Sequence, residues 1–81
     1  MSNESIIEEI TEWAEFILFE LNDPFTLHAT DFHFRYLLRY STGYTVNVFK
    51  TTQDGLMIEV TTPKCVISGE ISSKGLQFTS K

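Results

Sequence analysis

The residues best suited to bind a metal ion are two histidines, an aspartate and the single cysteine of the chain, which are His28, Asp31, His33 and Cys65. A zinc site needs four convergent ligands, or three and a water molecule. The spacing of the two histidines matches no common ligand pair, and the cysteine lies in a distant part of the sequence beside Pro63. We therefore predict no metal site and no cofactor.

Nucleophilic catalysis by the cysteine or by a serine would need a positioned base and a group that stabilises an oxyanion. The sequence contains no serine in a Gly-x-Ser-x-Gly pattern and no glycine-rich loop before a helix. Because there is only one cysteine, no internal disulfide can form. We expect a protein that is not an enzyme.

A second group of residues, Arg35, Arg39 and Lys50, has the charge to contact nucleic acid. The two arginines lie one turn apart in a predicted helix, and the lysine belongs to the hairpin that follows, as in a winged helix-turn-helix protein. However, the helix is too apolar to lie in a DNA groove, and another hairpin follows the first. We expect the arginines to pair with glutamates of the first helix. Nucleic-acid binding through these three residues is the alternative hypothesis.

The first helix is predicted over residues 4–21, where apolar side chains recur at helical spacing along one broad stripe. Three glutamates and two phenylalanines fall on the opposite side of this predicted helix. Aromatic rings with a polar rim are typical of interface cores, unless another part of the chain covers them. The predicted partner-binding face consists of Glu8, Glu12, Glu15, Phe16 and Phe19.

The charge of the chain is unevenly distributed. Its formal net charge is −5, and seven of its eleven acidic residues lie within residues 1–23, which contain no lysine or arginine. The first helix would therefore repel a polyanion, whereas a basic protein would be attracted to it. The initial residues lack the basic segment of a signal peptide, and no stretch has the composition of a membrane span. We expect a cytoplasmic protein.

The segment 25–29 alternates apolar and polar residues, as a short strand would, but an extra helical turn capped by Asp23, with Pro24 at its first position, fits almost as well. Thr30 or Asp31 is then expected to cap a second helix that Gly43 closes. Apolar residues occupy most of the circumference of this helix. We expect it to lie between the first helix and a sheet, or between the sheet and a partner.

From Tyr44 onward the apolar residues recur at every second position, which predicts a meander of antiparallel strands. The predicted strands cover residues 44–51, 56–62, 65–71 and 76–79. Pairing Phe49 with Met57 places every inward residue of the first hairpin opposite another inward residue. Gly69 would leave a hollow in the inner face where a helix could approach.

The sequence therefore predicts one α+β domain over residues 1–81, with two N-terminal helices packed on one face of a four-stranded antiparallel meander. A short extra strand near 25–29 stays an alternative to a helical turn. Core positions are predicted at Ile10, Trp13, Ile17, Leu37, Val46, Ile58, Val60 and Ile67.

In its length and order of elements only, the whole chain resembles the phage uracil-DNA glycosylase inhibitor family. Members of that family imitate DNA and thereby block their enzyme, so the resemblance implies a small inhibitor of a nucleic-acid-handling enzyme. From the residues themselves we expect a non-enzymatic protein-interaction module. Its partner would be another protein, basic in charge, or a second copy of the chain in a homodimer.

Overall fold

The computed structural model describes residues 2–52 and 54–80; Met1, Lys81 and Gln53, the middle of the predicted turn 51–55, lie outside them. Its elements in chain order are α1 (Asn3–Ile17), α2 (Pro24–Leu37), β1 (Thr45–Lys50), β2 (Leu56–Thr61), β3 (Val66–Ser72) and β4 (Gly75–Ser80). The chain has the predicted α+β class. In the described part of the chain, no helix has the length and apolar character needed to cross a bilayer.

The four strands form one antiparallel sheet in the order β1-β2-β3-β4, so each strand pairs with its neighbour in sequence. The predicted register is confirmed, because Phe49 is opposite Met57 and Val46 is opposite Val60. Asp54, in the first turn, has a φ of 59°, a left-handed conformation that aspartate tolerates better than most residues. The meander therefore follows from local turn chemistry and from the alternation of apolar residues.

Both helices cover the same face of the sheet, with α1 over β3 and α2 over β1. The predicted hollow at Gly69 is the point where α1 comes closest to the sheet. A Cβ atom at this position would lie 2.7 Å from Cγ2 of Ile10 and 3.2 Å from a ring carbon of Phe78. The absence of a side chain therefore lets the helix approach the strand backbone.

The core lies between the helices and the sheet and includes six of the eight residues predicted for it: Ile10, Ile17, Val46, Ile58, Val60 and Ile67. The other two, Trp13 and Leu37, are only half-buried and pack against its edge. Phe34, which was not among the predicted core residues, is completely buried.

Helix α1 ends earlier than predicted, at Ile17 rather than Leu21. Ser2 caps its first turn by accepting a hydrogen bond from the Ser5 amide, as expected. After the helix, the Glu20 amide bonds to the Ile17 carbonyl at 2.9 Å, and this turn returns Leu21 to the core. Residues 18–21 therefore do not continue the helical wheel.

Residues 25–29 are helical, which confirms the predicted alternative of a helical turn and not the short strand. This turn is continuous with α2, so the helix begins at Pro24, earlier than predicted. Asp23 is the N-cap and accepts a hydrogen bond from the Phe25 amide, while Pro24 occupies the first turn. The predicted caps Thr30 and Asp31 both lie in the helix interior. The Thr30 hydroxyl instead donates to a carbonyl one turn earlier at 2.8 Å.

The end of α2 also differs from the prediction. The helix ends at Leu37, and the Leu38 amide bonds back to the Phe34 carbonyl. Two further turns follow. In the first, the Ser41 amide donates to the Leu38 carbonyl, and in the second, the Tyr44 amide donates to the Ser41 carbonyl. Gly43, with a φ of 84°, lies in the second of these turns and leads into β1, so it does not close the helix.

Candidate partner-binding surface

The outer face of α2 carries a row of large rings that the fold leaves uncovered. Phe25, Phe32 and Tyr36 are 75%, 72% and 58% exposed, and the small Ala29 lies between the first two. Their spacing of four, three and four residues places all four on one face of the helix. Phe34, on the opposite face, is fully buried, so α2 contributes aromatic side chains to the core and to the surface alike.

These rings line a groove of about 600 Å³ on the protein surface. Its walls are formed by Trp13, Phe25, His28, Ala29, Phe32, His33 and Tyr36. Trp13 comes from α1 and stacks on the His33 ring, with the ring centres 4.3 Å apart and the planes nearly parallel. The groove is therefore lined mainly by α2, and Trp13 of α1 completes one wall.

Trp13 is held in place by hydrogen bonding and by aromatic packing. Its Nε1 donates to Oγ1 of Thr30 at 2.7 Å, and that hydroxyl donates in turn to the Thr26 carbonyl. The edge of the Phe34 ring lies against the indole, with the ring planes at 84°. Because the hydroxyl of Thr30 is completely buried, this short chain of hydrogen bonds fixes the indole before any partner arrives.

Phe16 extends the exposed apolar area onto α1. It is 74% exposed, and its ring centre lies 5.4 Å from that of Trp13. The groove residues and Phe16 thus form one continuous patch. We call this patch the aromatic surface, and its members are Trp13, Phe16, Phe25, His28, Ala29, Phe32, His33 and Tyr36.

The predicted acidic-aromatic face of α1 is divided by the structure. Glu8, Glu12, Glu15 and Phe16 are exposed on the helix as expected. Phe19 is 94% exposed but lies beyond the end of α1. It borders a separate depression lined by Leu18, Phe19, Leu21, Asn22, Asp54 and Ser73. Phe19 therefore belongs to a different part of the surface from Phe16.

The glutamate of α1 that meets α2 is Glu9. Its carboxylate lies 3.5 Å from Nε2 of His33, and both side chains are about one-third exposed. The Nε2 atom itself is buried and makes no hydrogen bond within the part of the chain that is described. Glu9 thus provides a carboxylate next to the stacked histidine and tryptophan.

The arginines do not pair with glutamates of α1, contrary to expectation. Nε of Arg35 lies 2.9 Å from both carboxylate oxygens of Asp31, one turn earlier in α2. Arg39 donates to the Tyr36 carbonyl at 2.6 Å, and its guanidinium lies over the rings of Tyr36 and Tyr40, at 3.8 and 4.7 Å from their centres. Both arginines are therefore engaged at the C-terminal end of the aromatic surface.

The third residue of the proposed nucleic-acid contact, Lys50, is exposed at the end of β1. It belongs to the sheet, whereas Arg35 and Arg39 belong to α2 and the turn after it. Because Asp31 offsets the charge of Arg35, the α2 part of this set is less basic than the sequence suggested.

The four residues considered for a metal site do not converge. His28 and His33 both line the groove, Asp31 pairs with Arg35 instead, and Cys65 lies next to Asn3 at the N-terminus of α1. Its sulfur accepts a hydrogen bond from the Asn3 amide group at 3.4 Å. Within residues 2–52 and 54–80, no three His, Cys, Asp or Glu side chains are grouped closely enough to hold a metal ion.

Most of the aromatic surface was missed by sequence reasoning because α2 was divided at residue 30. With Phe25 assigned to a strand or a separate turn, its helical spacing to Phe32 and Tyr36 could not be seen. The signal that could have joined them was Asp23-Pro24, a strong N-cap followed by proline at the first helical position. A helix begun there places Phe25, Ala29, Phe32 and Tyr36 in one row.

Comparison of the chain with protein-family models, curated proteins and solved structures found no match in any of the three. The resemblance to the uracil-DNA glycosylase inhibitors is therefore one of length and element order alone.

Proposed function

We propose that this protein is a non-enzymatic interaction module that binds another protein through the aromatic surface. The observation that carries the proposal is the exposure of Phe25 and Phe32 in the groove and of Phe16 beside its Trp13 wall, each by more than 70%. Burying a phenylalanine gains about 1.5–3 kcal/mol relative to leaving it in water. A few such rings supply enough free energy to anchor an interface.

The geometry of the groove supports protein binding in two further ways. Trp13, which lines the groove, is held by the buried Phe34 ring and by its hydrogen bond to Thr30, so this wall is ordered before binding and little conformational entropy is lost there. Polar and charged groups surround the rings, with Glu9 on α1 and Arg39 beyond α2. An apolar centre with a polar rim is the usual composition of a protein interface.

Inhibition of a nucleic-acid-handling enzyme is a narrower form of the same proposal. Its support is the exposed acidic side of α1, where Glu8, Glu12 and Glu15 lie without a neighbouring lysine or arginine in residues 1–23. These carboxylates would steer a basic partner towards the rings and would make the association rate fall as salt rises. The nucleic-acid alternative has less support, since Arg35 already carries an ion pair with Asp31.

The proposal is tested by affinity capture from an extract of the native host with three tagged forms of the chain. The variant Phe32→Glu places a charge at the centre of the aromatic surface. The matched control is Phe19→Glu, because Phe19 is even more exposed but lies on a different part of the surface. Melting curves of all three forms establish that both variants are folded.

We expect a partner that the wild type and Phe19→Glu retain and that Phe32→Glu loses. If Phe32→Glu captures the same proteins as the wild type, the aromatic surface is not the binding site. If only Phe19→Glu loses the partner, binding belongs instead to the face first predicted from the sequence.

A further inference from the structure

We infer that the aromatic surface binds a second copy of the same chain, with the two α2 helices antiparallel across a twofold axis. This inference rests on the proposed function, since it names the partner of the same surface. It is carried by three features of α2: the order of large and small side chains, the charges at the two ends of the row, and the exposed area.

The row Phe25, Ala29, Phe32 and Tyr36 has a spacing of four, three and four residues, which reads the same in both directions. Its midpoint lies between Thr30 and Asp31. An antiparallel copy therefore places Phe25 against Tyr36 of the partner subunit and Ala29 against Phe32 of the partner subunit. These are the a and d positions of a heptad, which face each other in this way between antiparallel helices.

The sizes of the side chains favour the antiparallel over the parallel arrangement. In a parallel pair, Ala29 would face its own copy and leave a void, while Phe32 would face Phe32 and be crowded. In the antiparallel pair, each small side chain faces a large one, and the two central layers have equal volume. Alternation of large and small residues across an interface is what allows close packing.

The charges at the ends of the row are also complementary to a reversed copy. Asp23 is exposed at the N-terminus of α2, two residues before Phe25. Arg39 is exposed at the other end, where its guanidinium covers the Tyr36 ring. When Phe25 faces Tyr36 of the partner subunit, Asp23 approaches Arg39 of the partner subunit at both ends of the interface. A parallel pair would instead bring like charges together.

The exposed area of the rings approaches what a small dimer interface buries. A buried aromatic side chain accounts for about 150–250 Å², so the four rings Phe16, Phe25, Phe32 and Tyr36 expose on the order of 500 Å² per copy. A stable interface buries roughly 600–1,000 Å² per partner. The rest of the buried area would come from the exposed parts of His28, Ala29 and Trp13 and from the polar residues at the ends of the row.

A charge exchange between two variants of the full chain tests the inference. The first variant is Arg39→Glu. The second is Asn22→Arg combined with Asp23→Ser, because serine keeps the N-cap of α2 while Asn22, which is exposed, receives the positive charge. Each variant alone would place like charges at both ends of an antiparallel pair. A mixture of the two would place opposite charges at both ends.

Self-association is measured by sedimentation equilibrium, in which a monomer of 9.3 kDa is readily separated from a species of twice that mass. We expect the wild type to dimerise and each variant to have a dissociation constant raised roughly tenfold or more. The equimolar mixture should return to the wild-type value. Trp13 belongs to the same surface, so its fluorescence should shift to longer wavelength when the wild type is diluted and the dimer dissociates. The midpoint of this shift should occur at the concentration that sedimentation equilibrium gives for dissociation.

The inference is overturned if the wild type stays monomeric up to about 1 mM, a concentration that corresponds to only −4 kcal/mol of binding free energy. It is overturned equally if the mixture associates no better than the separate variants. In either case, loss of a different captured protein in Phe32→Glu would still support the proposed function. If Phe32→Glu also captures the same proteins as the wild type, both the dimer and the proposed function are refuted.

Discussion

The indole nitrogen of Trp13 donates a hydrogen bond of 2.7 Å to the hydroxyl of Thr30, and this contact joins α1 to α2 beneath the aromatic surface. Thr30 is fully buried, whereas Trp13 is half-buried. The pair therefore links the interior of the domain to its candidate binding groove.

We expect Thr30→Val to lower the free energy of unfolding by about 1–3 kcal/mol, because valine keeps the shape but leaves the Trp13 N–H without its acceptor. The control Thr30→Ser retains the hydroxyl, so its free energy of unfolding should fall by less. Urea denaturation, monitored by Trp13 fluorescence, measures the stability of both variants. Equal losses in the two variants would show that the hydrogen bond is not what Thr30 contributes.

Gly69→Ala should destabilise the protein by about 1–3 kcal/mol, since the added Cβ would meet Cγ2 of Ile10 at 2.7 Å. Ile10→Leu removes the methyl branch at this point while conserving the side-chain volume. In a double-mutant cycle, the loss caused by Gly69→Ala should therefore be smaller in the Ile10→Leu background. Strict additivity of the two losses would contradict this account of α1 packing.

Ile58 occupies the centre of the inner face of the sheet and is completely buried. Ile58→Ala should cost about 2–5 kcal/mol, which in so small a domain approaches the total stability. Thermal denaturation, monitored by circular dichroism, would detect this loss of stability. A reduction below about 1 kcal/mol would contradict the burial that the strand register requires.

Phe32 and Phe34 lie two residues apart on opposite faces of α2, and they make a matched pair. Phe34 is fully buried, so Phe34→Ala should cost about 3–5 kcal/mol. Phe32→Ala removes the same atoms from a position that is 72% exposed and should change the stability by less than about 0.5 kcal/mol. Urea melts measure the two losses of stability. They are made at a protein concentration where the chain is monomeric. A large loss in Phe32→Ala would show that its ring supports the fold.

We also expect the fold to be independent of zinc, because no three ligand-type side chains converge in the described residues: His28 and His33 line the groove, whereas Cys65 contacts the N-terminus of α1. The melting temperature of protein purified without a metal-affinity tag should be the same with and without a chelator. Elemental analysis of the same material is the direct measurement. Stoichiometric zinc would contradict the prediction and return attention to these three residues.

Local sequence patterns determined the sheet. Alternating apolar residues and the Asp54-Gly55 turn defined the strands, and a shift of one residue would turn every apolar side chain to solvent, so the register had one consistent solution. The hollow at Gly69 could be anticipated for the same reason. Each of these features depends on residues that are close in sequence or directly paired across neighbouring strands.

The helix boundaries and the candidate surface were decided by tertiary packing. Apolar periodicity continued past Ile17, yet the chain turns there because Leu21 returns to the core and Asp23 begins α2. Periodicity likewise could not distinguish the buried Phe34 from the exposed Phe32, since α2 is aromatic around most of its circumference. Which ring faces water depends on where the sheet and α1 lie, and the sequence pattern of one helix does not contain that information.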